Sequence, residues 1–259
     1  MSRTGHGRYI GVTGLKTPEE CGALLQAVRP LPAGVRLHLG VMTGRKKLRG
    51  LPSKWSTGFL SAGELSRVFA SSEPDRMNTL HYADYSSPET PAAETQEVLG
   101  LAIRACGEHL QAVQLDMVLP PPEALHALGR EFPRLEWVLQ LNPETFQRLG
   151  PAEQVLEHLQ AYEHIHYVLL DFSKGTGKPM NTGALQELAD AFSSRYGVVV
   201  AGGLGPDTLH LLGSMAGKHS IDAQGALLLA GRDPLDPRLD LARAGAYVRK
   251  AAEDYRSRA

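Results

Sequence analysis

The chain is poor in cysteine, carries no excess of either charge and contains no long hydrophobic run. Cys21 and Cys106 are its only thiols and form no CxxC pair. That excludes a disulfide-framed secreted scaffold and a thiolate zinc clip, and it suits a reducing cytoplasm. With 27 basic and 28 acidic side chains the formal net charge is -1, so no global field draws the molecule toward nucleic acid or anionic lipid. No segment approaches the ~20 apolar residues of a membrane span, and Met1 to Arg8 lacks the apolar stretch of a signal peptide. Neither a membrane partner nor a secretory leader is expected. The rest, 259 residues with 42% hydrophobic and 21% charged side chains, is ordinary globular composition, enough for one α/β barrel or two compact domains.

What the chain does have is alternation. Eight apolar, β-rich runs recur along it: Tyr9 to Thr13, Val35 to Met42, Thr79 to Ala83, Ala112 to Asp116, Leu135 to Leu141, Tyr167 to Asp171, Val198 to Ala201 and Ser220 to Ala223. Such runs read as strands covered on both faces. Helix signals separate them. Thr17-Pro18-Glu19-Glu20 and Ser61 with Glu64 have capping-box spacing, and Asn142-Pro143-Glu144 opens another helix. Leu185, Leu188, Ala189 and Phe192 form an apolar stripe at helical spacing, as do Leu241, Ala244, Val248 and Ala251. Eight βα units in this length predict one (β/α)8 TIM barrel over residues 1–259, with a doubly wound sheet as the alternative. No linker divides the chain, and a basic insertion is expected after strand two at about 43–60.

In such a barrel the catalytic mouth is built from the residues that end each strand. These are Thr13, Met42 with Thr43, Asp84, Asp116, Asn142, Asp171, Gly202 with Gly203, and Gln224 with Gly225. Ala201-Gly202-Gly203-Leu204-Gly205-Pro206 lets backbone N–H groups approach an anion, and Pro206 suits a helix start. With Ala226 to Ala230 as a short extra helix, the loops after strands seven and eight predict a phosphate site. The sixth loop, Asp171 to Pro179, departs from a Walker A motif at Pro179 and reads as a basic lid carrying Lys174, hinged on Gly175 and Gly177. Desolvation of Asp171 would fit it to general-acid work; pairing with Lys174 or Lys178 is the structural alternative. Gly34 to Gly63 holds six basic residues, Arg36, Arg45, Lys46, Lys47, Arg49 and Lys54, and no acid. It fits either a substrate anion, with Trp55 and Phe59 over an aromatic ring, or a solvated loop; no nucleic-acid motif accompanies it. His164 and His166 precede strand six and read as capping or solvated rather than metal-bound.

With these positions placed, the chain resembles the phosphoribosylanthranilate isomerase family over most of its length. Ile10-Gly11-Val12-Thr13-Gly14-Leu15 with Thr17-Pro18-Glu19 is similar to that family's first strand, and Ala112-Val113-Gln114-Leu115-Asp116 to its fourth. Leu169-Leu170-Asp171 with Gly175-Thr176-Gly177-Lys178 is similar to its sixth strand and loop, Ala201-Gly202-Gly203-Leu204 to its seventh, and Ile221-Asp222-Ala223-Gln224-Gly225 to its eighth. The resemblance implies a TIM barrel of tryptophan biosynthesis that isomerises a phosphorylated aldose to a ketose by an Amadori rearrangement, with no metal or organic cofactor. It implies Asp171 as the acid on the ribose ring oxygen, and Gly202, Gly203, Leu204, Gln224 and Gly225 around the phosphate. Arg45 or Arg49 would hold the substrate's carboxylate, and Lys174 on the sixth loop is a further candidate substrate-binding residue. Thr13 stands where the family has its base cysteine. A threonine hydroxyl is too weakly acidic to replace a thiolate, and Asp116 or His38 is the expected substitute. Two other readings remain: a barrel that binds a phosphorylated metabolite without turning it over, and a phosphosugar epimerase or isomerase of another substrate.

Overall fold

Every one of the eight apolar runs forms a strand in the computed structural model, which describes residues 6–53, 57–171, 182–229 and 237–258. They are β1 (Arg8–Leu15), β2 (Val35–Gly44), β3 (Arg76–Asp84), β4 (Ala112–Met117), β5 (Glu136–Leu141), β6 (Ile165–Asp171), β7 (Gly197–Ala201) and β8 (Ser220–Ala223). Each pairs in parallel with the next, and β8 closes on β1 through Ile10, Gly11 and Val12 opposite Ile221, Asp222 and Ala223. The sheet is therefore a closed barrel and not a doubly wound layer. The third strand starts at Arg76 instead of Thr79, because Arg76, Met77 and Asn78 pair with β2. Asn78 breaks the apolar pattern, yet its amide donates to the carbonyls of Ser71 and His109 at 2.7 and 2.8 Å, which satisfies it in place.

The crossovers are α1 (Pro18–Val28), α2 (Arg45–Leu48), α3 (Ala62–Val68), α4 (Ala92–Cys106), α5 (Pro122–Glu131), α6 (Pro143–Leu149), α7 (Ala152–His158), α8 (Thr182–Ser193) and α9 (Leu241–Arg256). Their starts follow the capping chemistry. Ser61 and Glu64 close both halves of a capping box on α3. Thr17 accepts from the Glu20 N–H at 3.2 Å, while the Glu20 carboxylate accepts from Lys16 N–H, one residue earlier than a strict box. Among the described residues no helix is long and apolar enough to cross a membrane.

Strand alternation sorts the core into two parts. Outward side chains such as Val12, Leu39, Leu115, Val168 and Val200 pack under the helices. Inside the barrel, Tyr9, Met77, Ala112, Val138, Tyr167, Leu169, Val199 and Ala201 fill the lower lumen. Its floor is sealed by Arg36, which grips both Glu136 oxygens at 2.7 and 2.8 Å and meets the Tyr167 hydroxyl at 3.1 Å. Arg36 therefore lies at the strand-start end and takes no part in the basic segment after β2. Removing the charge by Glu136→Gln leaves Arg36 half-buried without its counter-ion. The expected cost is about 2 kcal/mol, below the figure for a fully buried pair because both side chains keep solvent contact. A lower urea midpoint at unchanged slope is the corresponding result.

Candidate active site

The upper lumen is polar, in contrast to the floor. Asp171 ends β6, and Gln140 on β5 donates to its Oδ2 at 3.4 Å; Gln114 on β4 donates to the Gln140 oxygen at 3.2 Å. One strand over, Asp116 accepts from the exposed Tyr85 hydroxyl at 2.9 Å and lies 3.5 Å from Nε2 of the buried His81. On the opposite wall the Thr13 hydroxyl is 3.1 Å from both carboxylate oxygens of the buried Asp222. Burial raises the Asp222 carboxyl to about 6, with smaller opposing effects from His81, the Thr13 hydrogen bond and the Ala223 N–H, and a further push upward from Asp171. The strand register places Asp171 opposite Ala201 and Ala201 opposite Asp222. The two carboxylates thus share one row across β6, β7 and β8.

His38, weighed above as a substitute base, is fully buried and stacked on Tyr9 with ring centroids 4.9 Å apart. Desolvation, with the fields of His81 and Arg36, pushes it down to about 3, so the imidazole is neutral and a poor proton acceptor. Its Nδ1 stands 3.9 Å from Asp222 without forming an ion pair. Asp84 and Asn142, also at strand ends, organise backbone. Asp84 accepts from Thr90, the Ser86 N–H and Arg45, and Asn142 caps α6.

Beyond this row lie the glycine loops. Gly202 and Gly203 adopt φ of 106° and 67°, conformations that disfavour any side chain. The Thr208 hydroxyl ties the loop down, donating to the Gly203 carbonyl and accepting from the Gly205 N–H, both at 2.9 Å. Leu204 is buried in the outer core, which leaves only its backbone to meet a ligand. A Cβ built on Gly205 would stand 3.0 Å from that of Ala226, which brings the seventh and eighth loops into contact, and one built on Gly225 meets open space. The helix geometry differs from the expectation. No α-helix follows Pro206; a 3-10 segment begins at Leu209, and the expected extra helix is one 3-10 turn, Gly225–Leu227. Gln224 reaches across the mouth to the Met42 sulfur at 3.0 Å.

The two arginines after β2 are brought to the rim but are engaged. Arg45 contacts Asp84, Ser86 and Glu94 at 3.3, 3.0 and 2.8 Å, and Arg49 grips Glu97 at 3.0 and 3.1 Å. Phe59 is buried against Met42 and Ala83 instead of lying free for a ligand ring. Lys174, Lys54 and Trp55, with the rest of the sixth loop, lie outside the described residues. At the far end of the barrel a cleft of about 730 Å³ is lined by Arg29, Arg36, Asp75 and Glu136, whose charges are paired with one another. His166 accepts from the Trp137 N–H at 3.1 Å, a capping role. His164 gathers with His126 and Glu163, their ligand atoms within 4.8 Å and His126 3.0 Å from Glu163.

Reading only the last residue of each strand missed Asp222, His81, Gln114 and Gln140. A signal was present: Thr79 and His81, Gln114 and Asp116, and Asp222 are polar residues at alternate positions of otherwise apolar strands, the period of a lumen-facing row.

No family model matches the chain, and no curated protein matches it. Its likeness is to solved structures. N-(5'-phosphoribosyl)anthranilate isomerase from Pyrococcus furiosus matches with a TM-score of 0.62 at 16% identity, over 95% of this chain and 99% of that one. Phosphoribosyl anthranilate isomerase from Thermococcus kodakaraensis gives 0.58 at 19% identity, over 94% and 98%. A third such isomerase, in complex with reduced 1-(o-carboxyphenylamino)-1-deoxyribulose 5-phosphate, gives 0.59 at 15% identity, over 95% and 98%. Identities this low speak for architecture: the chain has the (β/α)8 fold of the phosphoribosylanthranilate isomerases.

Proposed function

We propose that the protein isomerises a phosphorylated aldose to a ketose by an Amadori rearrangement, with phosphoribosylanthranilate as substrate, in the tryptophan pathway of the cytoplasm. The observation that carries this reading is the single row holding Asp171 and Asp222, with Gly202 and Gly203 one and two residues beyond Ala201 and Gly225, where a Cβ would meet open space, three beyond Asp222. An Amadori rearrangement needs an acid at the ring oxygen, a base at the adjacent carbon and a fixed phosphate to hold the chain between them. Asp171 is the acid. Gly202, Gly203, Leu204, Gln224 and Gly225 hold the phosphate through backbone groups and the Gln224 amide. Arg45 or Arg49 takes the anthranilate carboxylate by exchanging a protein carboxylate for that of the substrate, and Lys174 binds substrate from the sixth loop. None of these steps calls on a metal or organic cofactor.

The test follows the loss of the fluorescence of phosphoribosylanthranilate on mixing with the protein. Turnover supports the reading; tight phosphate binding with no turnover would support a non-catalytic binding barrel instead. The Thr13 hydroxyl in place of a thiol is what favours that second reading, and activity gained only by Thr13→Cys would establish it. Gly202→Ala forces a side chain onto a φ of 106°. It is expected to raise KM about tenfold, the equivalent of ~1.4 kcal/mol of loop strain, with kcat nearly unchanged. Steady-state kinetics separates the two constants.

A further inference from the structure

We infer that Asp222 is the proton acceptor of this isomerase and that Thr13 is its positioning residue. The inference rests on the isomerase reading above and adds to it the group that removes the carbon-bound proton.

Four features single out Asp222. The Thr13 hydroxyl reaches both of its oxygens at 3.1 Å, which fixes the carboxylate plane without neutralising it. The barrel makes room for this pair at two inward strand positions: a Cβ on Gly11 would stand 2.5 Å from Asp222 Oδ1, and one on Gly40 2.5 Å from Thr13 Oγ1. Asp222 lies two strands from Asp171 in the same row, with only the small Ala201 between them, so their backbones are separated by about 10 Å. The His38 imidazole beside it is neutral and forms no ion pair with it.

Other groups act on the same carboxylate. Tyr9 faces it from β1, His38 from β2, His81 from β3, Asp171 from β6 and Tyr247 from α9. Burial dominates and leaves the carboxyl near 6, ionised at neutral pH and more basic than an exposed aspartate, as a carbon acid requires.

The step balances without a co-reactant. Asp171 gives its proton to the ribose ring oxygen, the bond from that oxygen to C1 breaks, and the anilino nitrogen's lone pair forms a C=N bond. Asp222 then takes the proton from C2. The C2–H electron pair forms C1=C2, and the C=N pair returns to nitrogen. The resulting enol becomes the ketone as C1 takes the proton held by Asp222 and the C2 hydroxyl gives one to Asp171, which returns both carboxyl groups to their starting states.

The experiment measures phosphoribosylanthranilate turnover against pH for the parent, Asp222→Asn, Thr13→Val and Thr13→Ser, with inorganic phosphate affinity as the control for an intact cradle. The parent should show an acid limb near pH 6. Asp222→Asn should lose about a hundredfold or more in kcat while still binding phosphate. Thr13→Val should keep part of the rate and move the limb to higher pH, because it loses the hydrogen bond that favours the ionised form; Thr13→Ser should return the limb to its place. Should Asp222→Asn fail to fold, the Thr13→Val limb decides. An Asp222→Asn variant within about tenfold of the parent, or a limb indifferent to Thr13→Val, overturns the inference and leaves the isomerase reading standing. A parent inert toward this substrate overturns the isomerase reading and the Asp222 assignment with it.

Discussion

Asp171→Asn is expected to lower kcat by about 10²- to 10⁴-fold, the usual worth of a positioned general acid, while KM stays within a small factor. The asparagine keeps the shape of the side chain and still accepts from Gln140, which holds Asp171 at 3.4 Å. It loses only the proton to be transferred. Without that proton the ring oxygen would leave as an alkoxide, and the first bond of the rearrangement would not break. The proposed phosphate cradle lies on the following loops and does not depend on the charge at 171, so ground-state binding should persist. Fluorescence-monitored steady-state kinetics reads both constants, and a variant with an unchanged rate would remove Asp171 from the mechanism.

Asp222→Asn is expected to make the protein more stable at pH 8, by up to about 3 kcal/mol, a rise of roughly 6–12 °C in Tm for a chain of this size. Burial raises the Asp222 carboxyl from its ordinary 3.8 to about 6. Between those values the folded state holds the proton more tightly than the unfolded chain does. Stability from this group is therefore full below pH 4, falls as pH rises through 6, and is flat above, where its hydrogen bonds only partly offset the burial of the charge. About two units at ~1.4 kcal/mol each give the figure. His38 has the opposite slope. Its folded value of about 3 lies below its ordinary 6.5, so its contribution is lost as pH falls. The two partly cancel in the parent, and the readout is the difference between variant and parent in thermal melts at pH 8 and pH 4. A gap present at pH 8 and closed at pH 4 is the predicted result; an equal gap at both would show that packing, not ionisation, separates the two. A carboxylate that costs stability where it is placed is a mark of a functional group.

Much of the architecture was legible along the chain. The run Val198 to Ala201 reads as a strand because four apolar residues before a Gly-Gly turn have few other conformations, and Ser61 with Glu64 announces α3 because both partners of the cap lie within one turn. The place of Asp171 at the mouth was legible too, since the last residue of a barrel strand has a defined position. The partners of Arg45 and Arg49 were not. Both sit in a stretch with no acid, and the carboxylates that engage them, Glu94 and Glu97, arrive from the next crossover helix.

The sequence by itself determined eight strands, their order and the glycine loops, because these depend on side-chain periodicity and turn chemistry within a few residues. Only the tertiary structure decided that a hydroxyl on the first strand and a carboxylate on the last, 209 residues apart, share a hydrogen bond. That contact exists because β8 closes on β1. Closure is set by the summed tilt and stagger of all the strands, which no local pattern of residues records.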